Sequence, residues 1–246
     1  MVNFPSFTSA AELANEAQGL GIGLHVNVVH GPPVCSPERI PTLVSRDGCF
    51  PGPNEVLRRL TLGISSGVEL DLELNGQLER FRAELGEPTH LDSHKHMHIF
   101  GELLPAFIRL AKKLETPRAR CPSERLSLWP PSLAKGKAMV LTFFGTRARR
   151  AFRRSGIATT EHFAGALDSS SFTSAACRRI VDRLGFGATE MMCHPGYRST
   201  EDHDVIPNVA ITQHREEQML TLLDGSLKEH ILENDIQLIH YGQLKD

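Results

Sequence analysis

The sequence predicts an α/β fold built on a parallel sheet or barrel. Three observations carry the prediction. Short apolar runs with strand character alternate with amphipathic helical stretches along the chain. The connections are long enough for crossover helices between parallel strands. No internal repeat or low-complexity linker interrupts the 246 residues, so 1–246 is expected to be one domain.

Taken in order, residues 20–29 (LGIGLHVNVV) read as a strand that ends at the turn signal His30-Gly31-Pro32-Pro33. Residues 34–54, with four prolines and two glycines, read as a long loop. Leu70, Leu74, Leu78, Phe81 and Leu85 step by three or four, which predicts a helix over 70–85. Residues 89–98 (THLDSHKHMH) read as a second strand, and 103–114 as a helix with Leu103, Phe107, Leu110 and Leu114 on one face. A short strand is expected near Arg118–Pro122, a helix over 172–184, strand-like backbone over 188–194, a long helix over 210–233 and a last strand over 236–241. The basic stretch 133–154 reads as a surface helix whose arginines and lysines reach to solvent; a lid or an anion-meeting patch is the sharper alternative.

Composition excludes several classes. The formal net charge of −2 gives no electrostatic footing for nucleic acid. No uncharged apolar stretch is long enough to span a bilayer, and no basic region followed by an apolar run opens the chain as a signal peptide would. The five cysteines are odd in number and never spaced CxxC, which argues against a disulfide framework or a cysteine zinc site and for a cytoplasmic location. HExxH, GxSxG, a Walker A loop and GxGxxG are all absent.

Chemistry concentrates in three places. In Asp92-Ser93-His94-Lys95-His96-Met97-His98, an extended strand would put Asp92, His94, His96 and His98 on one face. Three imidazoles and a carboxylate make a costly core face but a good metal site. The competing reading is a polar sheet edge with solvated histidines. In Gly23-Leu24-His25-Val26-Asn27, His25 and Asn27 share a face near the end of a strand, where sites assemble in parallel α/β folds; a satisfied core histidine is the alternative. In Glu190-Met191-Met192-Cys193-His194-Pro195-Gly196, His194 closes a strand at a turn and is a candidate general acid or base.

The order GLHVN, HLDSHKHMH, EMMCHPG resembles the YdjC-like carbohydrate deacetylase family, whose members include chitooligosaccharide and hopanoid-associated deacetylases. Gly31-Pro32-Pro33-Val34, Asp47-Gly48-Cys49-Phe50, Arg120-Cys121-Pro122 and Arg215-Glu216-Glu217 add to the likeness, which runs from about residue 1 to 244. The resemblance implies an irregular, incomplete (β/α) barrel, a divalent metal (Mg2+ or Zn2+) on His25 and His94, and His194 as the catalytic histidine. It also implies that Asn27, Asp92, His96 and Arg120 surround an oligosaccharide or small-molecule substrate, with Asn27 and Asp92 in the pocket wall or just behind it. Met1-Val2-Asn3-Phe4-Pro5 resembles the family's second strand, so the first strand and its Asp-Asp motif are expected to be missing, with weaker metal binding and little turnover as the consequence. Two other readings stand beside this one. The first is an amidohydrolase-type site on His94-Lys95-His96. The second is a non-catalytic sugar-binding relative. A homodimer is left open.

Overall fold

The computed structural model describes residues 1–124, 133–165, 172–197 and 209–245, which fall into two compact units. The fold is mixed α/β, and its paired strands are parallel. The first unit comprises residues 1–121, 144–159 and 240–245; the second comprises 122–143 and 160–239. Among the described residues, no helix is long and apolar enough to cross a membrane, and all five cysteines are free thiols.

In the first unit, α1 (Phe7–Glu16) leads to β1 (Leu24–Val26), then α2 (Pro53–Thr61) and α3 (Gly67–Leu85) lead to β2 (Leu91–Ser93). β1 pairs with β2 in parallel, with His25 opposite Asp92. Parallel bridges continue the set from Leu91 to Ala119 and from Arg118 to Ala158. α4 (Leu103–Ala111) and the second part of α5 (Leu133–Arg154) make the crossovers between these segments. The helical spacing of α3 is realised: Leu70, Leu74, Leu78 and Phe81 are buried, Ser66 caps its start, and Gly86 ends it at φ 72°. On α5, Ala148 and Phe152 enter the core while Arg147, Arg150, Arg153 and Arg154 are exposed, as a surface helix requires.

The loop after β1 is tied to α3 by a buried carboxylate. Glu73 accepts from the backbone N–H groups of Val34 (2.9 Å) and Cys35 (2.8 Å) and from Gln77 Nε2 (2.8 Å). Gln77 in turn accepts from Asn27 N–H at 2.9 Å and donates to Asn27 C=O at 2.6 Å. The loop's path is thereby set by buried, paired polar groups, which are costly to leave unmet.

In the second unit, β3 (His162–Ala164) pairs in parallel with β4 (Thr189–Met191), and Glu124 bridges to Phe163. Phe172, Cys177 and Val181, from α6 (Ser174–Val181) and the residues before it, pack with Leu227 and Ile231 of α8 (Gly225–Glu233). Thr173 caps α6, its hydroxyl accepting from Ala176 N–H at 3.2 Å. Thr173→Ala is expected to cost about 1 kcal/mol by loss of this cap, measured by urea denaturation; no measurable change would show that the cap is dispensable.

The structure departs from the sequence expectations in several places. The strand expected over 20–29 is only three residues long, and the strand over 89–98 ends at Ser93. The helix over 210–233 breaks into α7 (Val209–Leu223) and α8, because Asp224 takes an extended backbone and caps Ser226 N–H at 3.0 Å. Among the described residues, 236–240 pair with no strand, and Tyr241–Gln243 form a single 3-10 turn. α1, α2 and β3 were not anticipated.

Candidate active site

β1 and β2 set His25 beside Asp92. His25 Nδ1 lies 2.7 Å from Asp92 Oδ1, and Asp92 Oδ2 lies 2.6 Å from an Arg120 guanidinium nitrogen. Burial would by itself raise the Asp92 pKa; the charges of His25 and Arg120 outweigh it and hold the carboxyl well below the usual carboxylate range. An ionised carboxylate only accepts, so His25 carries a proton on Nδ1, and Nε2 is the ring nitrogen turned to another partner. A carboxylate that fixes a histidine tautomer in this way is the usual support of a metal-binding imidazole.

After Ser93 the chain does not stay extended. Lys95 and His96 both adopt left-handed backbone, at φ 55° and 56°. Neither is glycine, and each such residue costs roughly 1–2 kcal/mol. The cost is met by an anchor three residues on. His98 is fully buried; its N–H donates to Ser93 Oγ (3.0 Å), that hydroxyl meets His98 Nδ1 at 2.6 Å, and His98 Nε2 reaches the Arg120 carbonyl at 3.0 Å. The ring stacks on Phe107 at 4.6 Å. Nε2 donates to the carbonyl, so Nδ1 accepts from Ser93, and the ring is neutral. Burial pushes the His98 pKa down to about 4, in agreement. The single-face reading of Asp92, His94, His96 and His98 is therefore corrected: the turn separates them, and His98 belongs to the core.

The same turn lifts His94 out of the strand. Its ring centre lies 5.8 Å from that of His25 and 5.3 Å from that of His30, edge-on to both. Burial lowers the His94 pKa to about 3, helped by the nearby His25, Lys95 and His30. Burial, then Lys95, lowers that of His30 as well. His96 is pushed well below its ordinary value by burial and by the Arg120 charge. His30 and Lys95 were not singled out from the sequence. The available signal was that His30 is the residue at which the first strand turns.

Asn27 is wholly buried. Its amide donates to Asn3 Oδ1 (3.1 Å) and His30 C=O (2.7 Å), and its oxygen accepts from Val29 N–H (2.9 Å) and His30 N–H (3.2 Å). His194 lies in the second unit, just past β4, exposed, with its backbone N–H donating to Gln218 Oε1 at 2.6 Å. The first unit thus brings together His25, Asp92, His94, His96 and Arg120, with Asn27 beneath.

The donor chemistry of His25 and His94 suits a metal, because two imidazoles at this spacing can share an ion. Among the described residues, no group of three or more His, Cys, Asp or Glu side chains is placed to hold a metal ion.

The sequence matches the YdjC-like protein family over residues 1–233. The chain belongs to the YdjC-like family. Relatives named carbohydrate deacetylase align with most or nearly all of the chain. That of Geobacillus stearothermophilus is 29% identical over 244 residues, 99% of this chain and 84% of the relative. That of Brevibacillus brevis is 31% identical over 247 residues, 99% of this chain and 86% of the relative. The mouse relative is 31% identical over 213 residues, 81% of this chain and 68% of its own. The fold resembles the crystal structure of a proposed cellobiose-phosphate cleavage protein from Enterococcus faecalis V583, with a TM-score of 0.74 at 21% identity over 98% of this chain and 84% of the other.

Proposed function

We propose that this YdjC-like chain is a metal-dependent hydrolase that removes acetyl groups from N-acetylated sugars of the chitooligosaccharide kind. The observation that carries the reading is the His25–Asp92–Arg120 relay beside His94, in a chain whose relatives are named carbohydrate deacetylase. The family match crosses both units, which supports one catalytic domain.

His25, through Nε2, and His94 are the residues that would hold the ion. A divalent cation there supplies Lewis acidity toward the acetamide carbonyl and the attacking water. Arg120 keeps Asp92 ionised, and Asp92 keeps the His25 proton on Nδ1. His96 and Arg120 are assigned to the pocket wall. Asn27 and Asp92 act by positioning, since their polar atoms are engaged within the protein. His194 is assigned, on its Cys-His-Pro-Gly motif, to the proton that the departing amine takes. The net reaction consumes one water, breaks the amide C–N bond and releases acetate and a free amine.

The test is acetate release from N-acetylglucosamine oligomers. Activity is expected to fall to background after chelation and to return with added divalent metal. His194→Ala is expected to lower kcat by about 10²–10⁴-fold. Sugar binding without acetate release under any divalent ion would replace this reading with a non-catalytic sugar-binding one. The amidohydrolase-type alternative needs His94 and His96 as alternate residues of one strand, and the strand ends at Ser93.

A further inference from the structure

We infer that Lys95 is a further catalytic residue of this site, its ammonium meeting the acetamide oxygen as negative charge develops there. The inference rests on the proposed deacetylase reading.

The backbone is the first argument. Lys95 and His96 both lie in the left-handed region, at φ 55°, ψ 22° and φ 56°, ψ 27°. Glycine takes that backbone without strain, and a long side chain does not. The bonds among Ser93, His98 and the Arg120 carbonyl explain how the turn is held. They do not explain a lysine at its tip. Strain kept where a glycine would relieve it points to a use for the side chain.

Place is the second argument. In a continued strand, Lys95 would face away from His94. The turn ends that alternation. Lys95 becomes the exposed tip between the half-buried His94 and His96, and Met97, His98, Ile99 and Phe100 behind it are buried. The His94 ring stands edge-on to those of His30 and His25, at 5.3 and 5.8 Å. The Lys95 charge reaches this group, since it helps to lower the pKa of both His94 and His30.

Charge is the third argument. Among the described residues, Lys95 forms no hydrogen bond and no ion pair. Both Asp92 oxygens are engaged by His25 and Arg120, so that carboxylate is not its counter-ion. A cation fixed at the mouth of a site is preorganised for negative charge that arises only during the reaction. The acetamide is neutral. When the water oxygen bonds to its carbon, the C=O π pair moves to the carbonyl oxygen, which accepts a hydrogen bond from the Lys95 ammonium. The pair returns as the C–N bond breaks. Acetate leaves, and both protons of the water end on the amine, which departs as an ammonium.

Acetate release from N-acetylglucosamine oligomers is measured for the full chain with saturating divalent metal, and for Lys95→Met, Lys95→Arg and Lys95→Gly. Thermal melting and calorimetric metal titration accompany each. Lys95→Met and Lys95→Gly are expected to lose about 10²–10³-fold in kcat, with KM little changed, the pattern of an interaction made only in the transition state. Lys95→Arg keeps the charge and should recover part of the loss. Lys95→Gly should melt no lower than wild type, because glycine accepts φ 55°, and metal affinity should be unchanged in all three. A wild-type kcat in Lys95→Met, or a raised KM with kcat intact, would overturn the catalytic role and leave the deacetylase reading standing. Metal affinity lost together with kcat would place the effect at the metal and overturn the role as well. No acetate release by the wild type under any divalent ion would overturn the deacetylase reading and Lys95 with it.

Discussion

Asp92→Asn is expected to cost about 3–5 kcal/mol of stability, the range for breaking one side of a buried ion pair, and to weaken metal binding by about 10–100-fold. Asp92 is 5% exposed and stands between two partners, His25 at 2.7 Å and Arg120 at 2.6 Å. The asparagine keeps the shape and removes the charge. Arg120 then loses its countercharge in a partly closed site, and the His25 proton is no longer fixed on Nδ1. The pH dependence has a definite sign. The folded pKa of Asp92 is depressed, because His25 and Arg120 outweigh the effect of burial. A depressed carboxyl contributes stability that is fully present above its unfolded pKa of about 3.9 and is lost as pH falls toward the folded value. The gap between wild type and Asp92→Asn should be level between pH 6 and 8 and shrink below about pH 4. Urea denaturation across that range measures it. A gap under about 0.5 kcal/mol at pH 7, the scale of ordinary surface changes, or one that widens in acid, would show that the carboxylate is not the anchor.

Local pattern was legible where local physics decides the structure. The apolar spacing of α3 and α4 survives because packing one face of a helix needs only that spacing. The position of His25 near a strand end was also readable from alternation and turn residues, whereas His94 reads as mid-strand in 89–98 and in fact follows the strand's last residue, Ser93. The course of the chain after Ser93 was not. Lys95 and His96 take left-handed backbone with no glycine or asparagine to signal it. What selects that backbone is distant: the Arg120 carbonyl and the Phe107 ring, which draw His98 into the core. The apolar run Ile236–Tyr241 has strand composition, but strand formation needs a partner edge, and residues 236–240 have none among the described residues. α2 did leave a trace, since Pro53 at its first position follows Gly52, the expected order at a helix start. β3 is three residues long, too short for any alternation to register. His30 was readable as a turn residue; its nearness to His94 depends on the parallel pairing of β1 with β2.

Asn27→Ala separates two roles for a residue that the family resemblance sets in the pocket wall or just behind it. A pocket-wall amide would affect KM and leave stability alone. The structure gives Asn27 four side-chain hydrogen bonds inside the protein, two of them accepted from Val29 N–H and His30 N–H. Alanine removes the acceptor of both, and each buried donor left unmet costs about 1–3 kcal/mol. The expected loss is about 3 kcal/mol, somewhat less than a full sum because the turn after β1 relaxes. Hydrogen exchange at Val29 and His30 should speed up by about 100-fold, the factor that corresponds to roughly 2.7 kcal/mol of local opening. His194→Ala, at an exposed side chain, serves as the contrast and should stay within about 0.5 kcal/mol of wild type. An Asn27→Ala protein as stable as wild type, with only its KM for sugar raised, would return Asn27 to the pocket wall.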